Sequence, residues 1–249
     1  MAIAKPYFRT ARQLADGSYE NSGNGRYVSD ARFAIAGPQY VRAFVVLQKD
    51  LLELFDFVEP ADVNLPCYSF RIHELHMRAC IEVEANCKAI LSENGYVRAG
   101  GGDWNMQDYR KLNATHHLSS FEVRTPIWEG TRGTRSPFAP WASAGPLSWY
   151  DAYNAAKHDR HNQFSLANFE NLLDAVCGLV ALVSAQFIRF DFQPSGLDIG
   201  YGGPEGGFET AIGGHFHVNF PTDWPAADRY GFDWQKLQKD PNPFQRLAI

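Results

Sequence analysis

Apolar residues recur three and four positions apart along much of this chain, a spacing that predicts helices. Val41, Phe44, Val45, Leu51, Leu52 and Phe55 mark a first helix over residues 38–58, with Pro38 in its first turn and Pro60 stopping it. A second, longer helix over residues 69–94 carries Ile72, Leu75, Ala79, Val83 and Ile90 on one stripe. Ser69 can cap its start, and Asn94 with Gly95 can end it. Its other face holds Arg71, His73, Glu74, Arg78, Glu82 and Lys88. A short helix follows near residues 104–112, and Pro146 opens another over 147–161. The strongest signal is residues 165–190. There Leu166, Phe169, Leu172, Leu173, Val176, Leu179, Val180, Val183, Phe187 and Ile188 form a stripe wide enough for a central, heavily buried helix.

Between these segments the periodicity fails. Residues 1–37 read as an irregular arm with turn chemistry at Asp16, Gly17 and Ser18 and again over 21–25. Residues 113–145 form a long loop rich in proline, glycine and tryptophan, in which Phe121, Glu122 and Val123 could be extended. Such a long loop in a compact domain points to function or a docked lid. Residues 193–249 hold many glycines and prolines with aromatics between them, and 215–220 alternates as a short strand does. The expected fold is therefore all-α. It is an antiparallel bundle of four or five helices over 38–192, with long ordered loops, the arm at 1–37, and a C-terminal extension over 193–249 holding at most a little strand. That extension should fold onto the bundle or onto a partner.

Composition supports a buried core: 45% of the 249 residues are hydrophobic and 20% charged. The aromatic share of 14% is high and falls largely in loops, so the coil should pack down. A net charge of −5 gives no global field for nucleic acid, so any such binding needs a local basic patch. Cys67, Cys80, Cys87 and Cys177 form no C-x-x-C pair and are expected as buried free thiols. The N-terminus has no apolar stretch of signal-peptide length. The most apolar run, residues 175–188, looks too short and polar to span a bilayer, which needs about 20 residues. A cytoplasmic location with no membrane partner is the expectation.

Chemistry concentrates in residues 147–161. Tyr150, Asn154, Lys157, His158 and His161 are spaced three and four apart and crowd one helical face, while Ala155 and Ala156 allow close helix approach. Either the polar groups are core residues that satisfy backbone, or they form a site between this helix and the long second one. The run Tyr153-Asn154-Ala155-Ala156-Lys157-His158 resembles the HEPN (higher eukaryotes and prokaryotes nucleotide-binding) superfamily. Its signature is an Arg, a polar residue that is often Asn, and a His a few positions on. The likeness extends loosely to the long second helix and covers roughly residues 40–190. Asn154 and His158 match the Asn and the His, and Tyr153 stands where the Arg belongs.

The resemblance implies a helical bundle that dimerises with itself. It also implies a role in RNA or nucleotide binding, including metal-independent RNA cleavage, in defence or stress response. His158 would act as general acid and base and Asn154 would position it. Lys157, Arg160, His161 and Tyr153 would contact phosphate or RNA, with no cofactor and no metal. Tyr153 cannot give the bidentate, permanently charged contact of a guanidinium. A literal R-x4-H also occurs at Arg71 and His76.

Two alternatives stand beside this reading. One is a non-catalytic scaffold of the same fold that binds a partner. The other is a metal-dependent hydrolase, with His73, His76, His158 and His161 as paired ligands and Glu82 or Asp159 nearby. His116, His117, His215 and His217 read as solvent or interface histidines. No phosphate-binding P-loop or G-x-S-x-G is present, and Pro204 breaks the glycine run at 200–207 as a dinucleotide turn. Cys177 lies in the buried stripe and is a poor nucleophile candidate. The six tryptophans serve best as anchors for coil, with base stacking as the alternative.

Overall fold

The computed structural model describes residues 2–21, 23–192 and 206–249. Helix α1 spans Gly37–Phe55, with Pro38 in its first turn and Val41, Phe44, Leu47, Leu51 and Leu54 buried. Helix α2 spans Phe70–Glu93, and the Ser69 hydroxyl accepts from the Ile72 amide at its start. Two short helices follow: α3 (Met106–Arg110), closed by an Asn105–Asp108 capping box, and α4 (Leu112–His116). The segment expected as one helix over 147–161 is two, α5 (Ser148–His158) and α6 (Arg160–Gln163). Asp159 leaves helical backbone between them, and its carboxylate caps α6 through the Asn162 amide. Helix α7 spans Phe169–Phe187 and is capped by Asn168, so the 165–190 signal overran the helix at both ends. A last short helix, α8, covers Trp234–Leu237.

Helix α7 is buried on every face from Ala175 to Phe187, as a helix that is apolar all round must be. It packs chiefly against α2, with α1 and α5 beside it. Gly178 permits the closest approach. A Cβ there would lie 3.3 Å from Trp149, which itself is 2% exposed. By length and composition α7 could cross a membrane, but 83% of its apolar window is buried inside the fold.

The all-α expectation is overturned. Among the described residues there are eight α-helices and a four-stranded antiparallel sheet, so the fold is mixed. The strands are β1 (Glu122–Arg124), β2 (Thr134–Arg135), β3 (Glu209–Thr210) and β4 (His217–Asn219), in the order β2-β1-β4-β3. Val123 of β1 sits opposite Val218 of β4, and both are fully buried where the sheet meets α7. Strand β4 lies within the alternating 215–220 and β1 overlaps the extended 121–123, whereas β2 and β3, two residues each, are too short for alternation to register. Two strands come from the long loop and two from the C-terminal extension, and it is their pairing into one sheet that the sequence does not show.

The arm is pinned as firmly as the helices. Ile3 and Leu14 form parallel bridges to Tyr230, and Tyr7 bridges to Gln245. Tyr27, Phe33, Tyr230, Phe232, Trp234 and Phe244 make a ring cluster against Phe187. Arg9, fully buried, donates to Glu93, to Gln186 Oε1 at 2.9 Å and to the Ile35 carbonyl. Gln186 in turn donates to Asn86 Oδ1 at 2.9 Å, which closes a satisfied polar network across α2 and α7. Cys80, Cys87 and Cys177 are buried, but Cys67 is exposed, because it lies in the coil before α2. Residues 200–205 of the glycine run lie outside the described residues.

Candidate nucleic-acid interface

Helix α5 presents two distinct faces. Trp149, Ala152, Tyr153 and Ala156 follow helical spacing and are all buried against the bundle. The Trp149 indole donates to the Pro137 carbonyl at 3.0 Å, and the Tyr150 hydroxyl donates to Glu84 Oε1 at 2.9 Å. These contacts fix the roll of the helix and turn Asn154, Lys157 and His158 outward. Asn154 is half-buried, while Lys157, His158, Arg160 and His161 are exposed. Among the described residues neither the His158 ring nor the Asn154 amide has a hydrogen-bond partner. They face solvent and are not sealed as packing groups.

Tyr153, expected from the resemblance to contact phosphate or RNA, is in the core at 2% exposure. Its hydroxyl accepts from Lys157 Nζ at 3.2 Å, and that ammonium lies 5.1 Å from its ring centroid. The bond to Tyr153 is the largest cause holding the Lys157 pKa above its ordinary value. Burial raises that of Tyr153, and Lys157 opposes it. Tyr153 therefore orients the cation and is not itself open to a ligand. Lys157 also lies in the last turn of α5, where free carbonyl ends favour positive charge.

The polar edge borders α2. His73 faces α5, and burial, with the Arg160 charge second, lowers its pKa; the Ala156 carbonyl opposes this in part. Its buried Nε2 has no hydrogen-bond partner. His76 is fully buried, with Nε2 2.9 Å from the Trp149 carbonyl, and burial pushes its pKa down to about 4. The R-x4-H pair is thus divided. His76 is a core group, whereas Arg71 pairs on the surface with Glu74 at 2.9 Å and Asp50 at 3.6 Å. Among the described residues no group of three or more His, Cys, Asp or Glu is placed to hold a metal ion. The four histidines therefore do not converge on a shared site.

The remaining histidines divide as well. His116 is buried, with Nε2 3.1 Å from the Arg9 carbonyl, and burial takes its pKa to about 3. It is no surface histidine, because the arm covers it. His117 stacks on Trp224 at 3.9 Å and contacts Asp223 at 2.9 Å. A cleft of about 310 Å³ opens elsewhere, beside Tyr19, Glu20, Arg189, Glu209 and Asn219. Arg189 there is paired with both Glu20 and Glu209, and no residue of the polar edge lines it.

Three residues at the edge escaped the sequence reading. Phe70, the first residue of α2, is 70% exposed, and Tyr68 just before it is 52% exposed. Both rings meet Phe164, which follows α6, at centroid distances of 4.8 and 5.6 Å. The Arg160 guanidinium lies 6.0 Å from the Phe70 ring. Their signal was three aromatics at helix boundaries, where no apolar stripe could bury them. The chain gives no match to protein-family models, to curated proteins or to solved structures.

Proposed function

We propose that this chain binds RNA at the outer end of α5 and cleaves it without a metal, as a HEPN-like protein of the cytoplasm that acts as a homodimer. The observation that carries the reading is the open polar edge. Asn154, Lys157 and His158 lie on the outer side of α5, Arg160 opens α6 one residue beyond it, and the His158 imidazole and Asn154 amide are committed to no internal hydrogen bond. An imidazole held by no internal hydrogen bond is open to a ligand and can pass a proton to or from it.

In the proposed reaction His158 takes the proton of a ribose 2′-OH as its oxygen attacks the adjacent phosphorus. The P–O5′ bond breaks, and the imidazolium returns that proton to the departing 5′-oxygen. The products are a 2′,3′-cyclic phosphate and a 5′-hydroxyl, with no net change in protons. Lys157 and Arg160 offset the charge on the phosphate oxygens, and Asn154 donates to the phosphate or holds the imidazole. The bond from Lys157 to Tyr153 holds the ammonium in place before RNA arrives.

The test is cleavage of a mixed-sequence RNA by the full chain in the presence of a chelator, against His158→Ala. Loss of cleavage in the variant, with binding kept, supports the reading. Equal cleavage in both, or none in either, removes the nuclease claim. A second reading is favoured by the burial of Tyr153, which leaves the motif without its guanidinium. On that reading the same edge binds RNA or a partner and cuts nothing. RNA binding with no cleavage by wild type selects it.

A further inference from the structure

Exposed apolar side chains are ordinary when scattered singly, but two exposed rings that share one aromatic neighbour are not scattered. Tyr68 and Phe70, both exposed, each pack against the half-buried Phe164, which also meets the His73 ring, at the junction of α2 and α6. Its setting is cationic. Arg160 reaches over Phe70, and Lys157, His158 and His161 lie on the same short stretch of chain. Among the described residues Arg160 and Lys157 form no ion pair with a carboxylate. The nearest acid in sequence, Asp159, accepts from the neutral Asn162 side-chain amide at 3.0 Å and keeps its charge. In a chain of net charge −5, two permanent cations outnumber that one carboxylate beside the exposed Tyr68 and Phe70 rings.

That pairing of chemistries selects one ligand. Flat aromatic groups joined by phosphates satisfy both halves, since bases stack on rings while the backbone meets the cations. In a duplex the base faces are already stacked on each other, so only an unpaired strand can offer them. We propose that Tyr68, Phe70 and Phe164 form a stacking ledge that binds the bases of single-stranded RNA, with Arg160 bridging the ledge to the phosphate-binding edge. This rests on the RNA reading above and adds the strand class. The ledge lies before and beside the His158 segment, so it would seat nucleotides flanking the one whose phosphate is attacked.

The experiment is fluorescence anisotropy with a 2′-O-methylated oligouridylate dodecamer, which cannot be cleaved. A blunt duplex of the same length and an abasic strand of the same charge serve as comparisons. Wild type should bind the single strand more tightly than either. Phe70→Ala should weaken single-strand binding by roughly 5- to 150-fold, the range for loss of one base-stacking ring. Phe70→Leu should weaken it similarly, because it keeps apolar area and loses the ring, whereas Phe70→Trp should retain binding. Binding to the abasic strand should be the same in wild type and all three variants. Tyr68→Ala provides a second substitution at an exposed site should Phe70→Ala unfold the start of α2.

If wild type binds the single strand and none of these substitutions alters that affinity, the ledge proposal is overturned while the RNA reading stands. If wild type binds no RNA at all, the RNA reading fails and the ledge fails with it. If Phe70→Ala leaves RNA affinity intact but shifts the sedimentation of the protein toward monomer, the rings form a contact between copies, and the proposal is again overturned.

Discussion

Replacing Arg9 with Met tests whether the arm is held by charge or by packing. Met preserves much of the apolar stem and removes the guanidinium. Three acceptors then lose a donor: Glu93, Gln186 Oε1 and the Ile35 carbonyl. The Glu93 side chain is only 9% exposed, so its carboxylate would remain in the interior with the Ile35 amide, at 3.0 Å, as its surviving partner. Removing one member of a buried pair costs about 3–5 kcal/mol, chiefly because the other charge stays behind. The orphaned neutral acceptors add to this less than additively, since all share one network. A loss of about 4 kcal/mol is the expected outcome, a large part of the roughly 5–15 kcal/mol typical of a whole protein. For a chain of this size it corresponds to a Tm lower by about 8–16 °C. Differential scanning calorimetry of wild type, Arg9→Met and Arg9→Met/Glu93→Gln would measure it. The double variant should recover part of the loss, because a neutral amide can still accept from the Ile35 amide. A loss below about 1 kcal/mol, or a double variant no better than the single one, would refute the argument.

Two further outcomes follow from the site and the core. Lys157→Gln should weaken single-strand RNA binding and make the slope of log affinity against log salt shallower by about 0.7, the value for one lost phosphate contact. An unchanged slope in anisotropy titrations across salt concentrations would show that Lys157 meets no phosphate. His76 and His116 have folded pKa values near 4 and 3, below the ordinary 6.5, because burial disfavours their charged forms. Their unfolded forms take up protons first, so stability should be full above pH 6.5 and fall as pH drops toward 4. Each contributes roughly 1.4 kcal/mol per pH unit in that window. Urea unfolding at pH 7 and pH 5 reads the slope, and His116→Gln should flatten it. Equal slopes in wild type and variant would mean that His116 is not held neutral.

What could be read from the sequence depended on how many residues shared each signal. The stripe from Phe169 to Phe187 is long, so its central burial was plain, although Asn168 and the left-handed Ile188 set its ends locally. The polar spacing of Asn154, Lys157 and His158 was legible for the same reason, but it fitted a core role as well as an open one, and Tyr150 and Tyr153, expected among the site residues, are buried. The break at Asp159 was not legible. It turns on a single carboxylate capping Asn162, inside a run of polar residues that also fits an unbroken helix. The sheet failed differently, since β1 and β4 are nearly a hundred positions apart and three residues long, so their pairing is a purely tertiary fact.

Arg9 and the aromatic ledge expose a shared blind spot in reading function from periodicity. One is a charged residue wholly buried, the other holds two large rings, Tyr68 and Phe70, left mostly in water, and each violates the burial its residue type predicts. The Arg9 backbone is also left-handed, with φ of 53°, a conformation that costs roughly 1–2 kcal/mol in a non-glycine residue and persists where the side chain is tied down. For Arg9 the structure supplies the compensation, as three acceptors surround the guanidinium. For Tyr68 and Phe70 the ring and cation contacts within the described chain are Phe164 and, for Phe70, the Arg160 guanidinium, and both rings stay largely exposed. An exception that is satisfied internally is part of the architecture. One that remains unsatisfied beside unpaired cations points to a ligand, which is why the search for function belongs at the junction of α2 and α6.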